Sequence, residues 1–156
     1  MILRALAFAL LAAPAAALTC APPDPVRAFQ LLNEAPEAYV VVLGRLDFDP
    51  KALPQRNGGA MDPNRTEPPQ RVRARMTGKA LGEAGFAMPW SGDVIIEAEC
   101  LGPWCPSHRP GRYMAFLKRD GGQRTLMVNA CGGHAFGDPS AVDVARVEDC
   151  MKGRCG

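Results

Sequence analysis

Residues 110–131 read PGRYMAFLKRDGGQRTLMVNAC. Two apolar runs, 112–118 (RYMAFLK) and 124–128 (RTLMV), stand on either side of Asp120-Gly121-Gly122. β-Branched and aromatic residues suit a pleated surface, and glycines directly after an aspartate reverse the chain at little steric cost. The stretch therefore predicts a β-hairpin whose second strand runs toward Cys131. A mainly β protein is expected around it.

The sequence on both sides agrees. Residues 39–48 (YVVVLGRLDF) predict a largely buried first strand, with Gly44 marking a bulge or sharp bend. Residues 71–81 begin with strict alternation, Val72, Ala74 and Met76 against Arg71, Arg73 and Arg75, which predicts a half-exposed strand. Residues 94–99 (VIIEAE) predict a third strand, and the apolar 86–90 (FAMPW) a cover over one barrel end. Residues 49–70 hold five prolines and two glycines and predict a long surface loop. Residues 101–111 predict a second loop, rich in proline. Helices are expected at both ends. Asp24 is a good N-cap, Pro25 suits the first helical position, Val26, Phe29 and Leu32 share a face, and Pro36 stops the chain from continuing. Ser140 can cap a helix over 140–151, where Val144 and Val147 lie three apart. Five strands between a short N-terminal helix and a C-terminal helix close economically as a five-stranded OB-type barrel.

The N-terminus carries an address. Arg4 supplies a positive charge, residues 5–13 (ALAFALLAA) an apolar run, and Ala15-Ala16-Ala17 a small-residue cleavage site. Residues 1–17 are expected to be a signal peptide and 18–156 one exported domain, periplasmic or secreted. No later segment is long and apolar enough to span a membrane. All six cysteines, Cys20, Cys100, Cys105, Cys131, Cys150 and Cys155, lie beyond the cleavage site. In an oxidising compartment an even count reads as a disulfide framework, for which six cysteines allow fifteen pairings. The spacings, five between Cys100 and Cys105 and five between Cys150 and Cys155, do not match zinc knuckles, so no metal is expected. A formal net charge of +2 argues against a dedicated nucleic-acid binder.

The order of these pieces resembles the netrin-like domain, the OB-fold module shared by tissue inhibitors of metalloproteinases and the C-terminal part of netrins. The resemblance covers nearly all of the chain beyond the signal peptide. It rests on Cys20-Ala21-Pro22, the helix with Ala28-Phe29, the strand over 39–46, Thr77-Gly78-Lys79, the loop with Cys100 and Cys105, and above all 110–131. In the family, N-terminal cysteines are tied to the central loop and to the end of the fifth strand. The resemblance thus implies Cys20 with Cys100 or with Cys131, and Cys150 and Cys155 taking what remains. It does not carry over the family's protease inhibition, which needs an N-terminal cysteine to chelate zinc. Here Leu18-Thr19 precede Cys20, and the second cysteine of the family's opening motif is missing.

Arg71, Arg73 and Arg75, extended by Lys79, form a row that could hold phosphate, sulfate or carboxylate groups, or could be an ordinary solvated strand face. Cys131-Gly132-Gly133-His134 invites a Cys–His nucleophile reading, against which stands a disulfide followed by a glycine turn. His108 lies in a loop with no acid nearby in sequence. Trp90 and Trp104, beside prolines and cysteines, read as local core or as stacking surfaces for a sugar or peptide. No nucleophile elbow or paired-carboxylate motif stands out, and no cofactor is expected. The expected function is a non-catalytic binding module for an anionic glycan, a lipid head group or an envelope protein. The alternatives are a metalloproteinase-type inhibitor and a structural accessory module of an envelope assembly, with 49–70 as its contact.

Overall fold

The computed structural model describes residues 19–55 and 68–155. The expected signal peptide and the middle of the 49–70 loop lie outside the described residues. The elements in chain order are α1 (Pro25–Asn33), β1 (Tyr39–Phe48), β2 (Gln70–Gly82), β3 (Gly85–Glu99), β4 (Gly111–Asp120), β5 (Gln123–Asn129), β6 (Ala135–Gly137) and α2 (Ala141–Met151). The protein is mainly β with a helix near each end, and three disulfides tie it together.

Five strands form a ring. β1 pairs antiparallel with β2, β2 with β3, β4 with β5, and β4 returns to β1. The ring closes through a parallel pairing of Ile95–Glu99 with Thr125–Asn129. β6, which the sequence did not announce, adds three residues against Tyr113–Ala115 of β4. Alternation puts Val72, Ala74 and Met76 of β2 inside the ring with Val42 and Leu46 of β1 and Ala115 and Leu117 of β4. A second core lies on the other face of β1 and β4. There Val41, Met114 and Phe116 meet the helices through Val26 and Val147. β4 is thus covered on both sides, and its run Tyr113–Leu117 is buried throughout, which is why it reads as continuously apolar.

The helices form for the reasons their sequences give. Asp24 Oδ1 accepts from the Val26 amide at 3.0 Å, and Pro25 occupies the first turn. Ser140 Oγ accepts from the Asp143 amide at 3.1 Å while Asp143 Oδ2 accepts from the Ser140 amide at 3.3 Å, a complete capping box. α2 is also clamped to the sheet, because Glu148 Oε1 accepts from the Phe86 amide at 3.0 Å.

Three expectations need correction. Residues 86–90 do not cover a barrel end. They are the first half of β3, paired with β2 from Leu81↔Phe86 to Gly78↔Trp90, and Met88 is 56% exposed. Pro89 hid this strand, but β5 meets β3 only from Ile95 on, so Pro89 sits on an edge, where proline is tolerated. Gly44 marks no bulge. It pairs in register with Gly78, and the irregularity lies at Ala80/Leu81 instead. The start of the 49–70 loop is not loose surface. A 3-10 turn over Pro50–Ala52 is capped by Asp49, and Leu53 is buried in the ring core. Of the two partners that the resemblance offered Cys20, the structure pairs it with Cys131, and Cys150 and Cys155 close on each other. The bridges are Cys20–Cys131, Cys100–Cys105 and Cys150–Cys155. The first has a sequence separation of 111, the others of 5.

Candidate functional site

β2 carries Arg71, Arg73, Arg75 and Lys79 on its outer face, all exposed, as the alternation requires. Antiparallel pairing with β3 then decides what faces them. Arg71 stands opposite Glu97, with Nε to Oε1 at 3.6 Å, and Arg75 opposite Asp93, with a hydrogen bond of 3.0 Å. Arg73 faces Ile95 and Lys79 faces Pro89, so no acid meets either across β3 in register. On β1, Arg45 and Asp47 pair at 2.8 Å, and Asp47 lies opposite Arg75. Two of the four cations of the row are thus met by acids across β3, and two are not. Exposed pairs of this kind contribute about 0.2–1 kcal/mol each, but they lower the field that would draw a polyanion.

At one end of this face a polar cleft of about 360 Å³ opens between the β2–β3 ladder and the β4–β5 hairpin. Arg71, Glu97, Lys118, Asp120, Gln123 and Thr125 line it. Lys118 Nζ lies 3.4 Å from Glu37, and Gln123 Nε2 donates to Thr125 Oγ1 at 3.1 Å. Of these residues only Arg71 was legible as a candidate. Glu97 joins through strand register, and Asp120, Gln123 and Thr125 join because the hairpin folds back beside β3. The cleft presents acids, cations, an amide and a hydroxyl at close range, a donor and acceptor set suited to a ligand rich in hydroxyls.

The histidines are not brought together into a reactive pair. Cys131, the candidate nucleophile beside His134, is bonded to Cys20. His134 packs edge-on against Tyr39 with ring centroids 5.9 Å apart, and its Nδ1 is buried without a hydrogen-bond partner in the structure. His108 packs edge-on against Tyr113, also at 5.9 Å. Burial pushes both imidazoles below their ordinary pKa, with a backbone contact at Gly132 opposing the shift at His108. Both stay neutral near pH 7. Burial likewise pushes the phenols of Tyr39 and Tyr113 up.

The two tryptophans part company. Trp90 packs partly against the ring core, while Trp104 is 37% exposed on the Cys100–Cys105 loop. Among the described residues no three of His, Cys, Asp and Glu group to hold a metal ion, and no helix is long and apolar enough to cross a membrane. No family model, no curated protein and no solved structure matches the chain.

Proposed function

We propose that the chain is an exported, non-catalytic binding module built on an OB-type barrel, and that it holds a glycan carrying acidic groups in the cleft beside the β4–β5 hairpin. Ring closure through β1–β4 and the parallel β3–β5 pairing support the OB-type reading. The Cys20–Cys131 bridge, from the N-terminal segment to just past the fifth strand, supports the netrin-like resemblance. Export fits a chain whose cysteines are all paired.

The observation that carries the ligand reading is the composition of the cleft. Arg71 and Lys118 offer charge-assisted donors for a carboxylate or sulfate, and Glu97, Asp120 and Gln123 offer acceptors and an amide for hydroxyls. A lipid head group, or a polyanion held by charge alone, would need an excess of cations, which the acids beside Arg71 and Arg75 reduce.

Retention on an immobilised uronic-acid polysaccharide, measured across a salt gradient, tests this. Arg71→Ala and Asp120→Ala should each weaken retention. The aspartate decides the matter, because losing an acid strengthens simple ion exchange and weakens a specific site. Tighter retention of the Asp120→Ala protein would overturn the reading.

A further inference from the structure

A second surface, sharing no residue with the cleft, is a proline-walled groove. Two hollows of about 330 and 650 Å³ share Pro50, Gln55 and Arg109 and so form one trough. One wall is the turn after β1, with Pro50 and Pro54. The other is the loop between β3 and β4, with Pro103, Pro106 and Pro110.

Both walls are held rigid by contacts that have nothing to do with the cleft. On the first, Asp49 Oδ1 accepts from the Lys51 amide at 2.9 Å, Gln70 Nε2 donates to the Ala52 carbonyl at 2.6 Å, and Leu53, 3% exposed, anchors the turn in the ring core. On the second, the Cys100–Cys105 bridge closes a tight reversal in which Leu101 and Trp104 exchange backbone hydrogen bonds of 2.7 and 3.2 Å. The Tyr113 hydroxyl then donates to the Arg109 carbonyl at 2.8 Å and accepts from its amide at 3.4 Å. A surface ordered in advance loses less entropy when it binds.

The chemistry of the trough differs from that of the cleft. Among the described residues its charged side chains are Lys51 and Arg109, both exposed, and no acid lines it. Prolines present C–H surface and no amide donors, and among the described residues the uncharged polar side chains lining it are Gln55 and Ser107. A sugar would find few partners for its hydroxyls. A peptide would find apolar seats beside two exposed cations. We infer that this trough docks an extended acidic peptide segment of a partner protein, its apolar side chains on the proline walls and its carboxylates on Lys51 and Arg109.

The test is fluorescence anisotropy on the oxidised, full-length exported protein. The probe is a labelled peptide of glutamates with leucine at every third position, and the control has glutamine for every glutamate. Saturable binding of the acidic peptide is expected, weaker by tenfold or more for the glutamine control and for the Lys51→Glu/Arg109→Glu double variant. Binding should persist in Arg71→Ala and Asp120→Ala, which keeps this site separable from the glycan cleft. Because both cations are exposed, the double variant should keep the wild-type near-ultraviolet circular dichroism. Equal binding of the two peptides, equal binding to the double variant, or no saturable binding would overturn the inference. So would capture of a sulfated oligosaccharide, but not the peptide, through Lys51 and Arg109.

Discussion

Gly44 of β1 and Gly78 of β2 face each other with so little room that a Cβ on Gly44 would lie 2.6 Å from the Gly78 Cα, and one on Gly78 the same distance from the Gly44 Cα. The Thr77 carbonyl oxygen would stand 2.2 Å from the first of these and the Leu43 carbonyl oxygen 2.2 Å from the second. These neighbours are backbone, which cannot swing aside. β1 has partners on both edges here, since Gly44 also pairs with Tyr113 of β4. The close approach is therefore locked into the closure of the ring. Gly44→Ala and Gly78→Ala should each cost about 3 kcal/mol or more, beyond ordinary overpacking, because the strands must separate. Urea unfolding reads this. Once one alanine has parted the strands the second meets less resistance, so the double variant should lose less than the sum.

The three bridges should differ in weight. On the chain-entropy model, closing a loop with a separation of 111 stabilises by about 5 kcal/mol, and one with a separation of 5 by about 2 kcal/mol. Replacing Cys20 and Cys131 together by alanine should therefore lower the unfolding midpoint more than replacing Cys150 and Cys155. Equal losses in paired urea titrations would show that native contacts near the bridges outweigh loop closure.

Acid should destabilise the fold through its histidines. His108 and His134 have pKa values lowered by burial from an ordinary 6.5. The unfolded chain takes up protons first as pH falls below about 6.5, so stability is full above that value and declines through the window down to the lowered folded values. His134 has the buried, unpartnered Nδ1. His134→Phe keeps a ring against Tyr39 and removes that atom, so it should flatten the pH dependence below about pH 6.5. Chemical denaturation at several pH values checks the slope. An unchanged slope in the variant would remove His134 as its cause.

Two polar contacts tie separate elements together, and each has a clean deletion. Tyr113→Phe loses both hydrogen bonds to the Arg109 backbone, and Glu148→Ala frees the Phe86 amide from its carboxylate. Each should cost about 1–2 kcal/mol. They should differ in location, with hydrogen exchange rising around 106–111 in the first and around 83–88 in the second.

The hairpin about Asp120, both helix caps and the alternation of β2 were legible in the sequence, because each rests on residues within a few positions of one another: a glycine turn, an Asx or serine cap, a period of two. The same alternation showed that Arg71, Arg73, Arg75 and Lys79 share a face. What met them did not follow from it. Glu97 and Asp93 reach the arginines only through the register of β2 against β3, set by a turn that the sequence obscured by placing Pro89 in a strand. β6 is three residues long, too short to show a period, and exists because β4 offers it an edge. The cysteine count announced a framework, whereas the pairing required knowing which cysteines fold into reach. The cleft and the proline trough belong wholly to the tertiary structure. Each gathers side chains from segments far apart in the chain, and only the closed ring brings those segments to the same place.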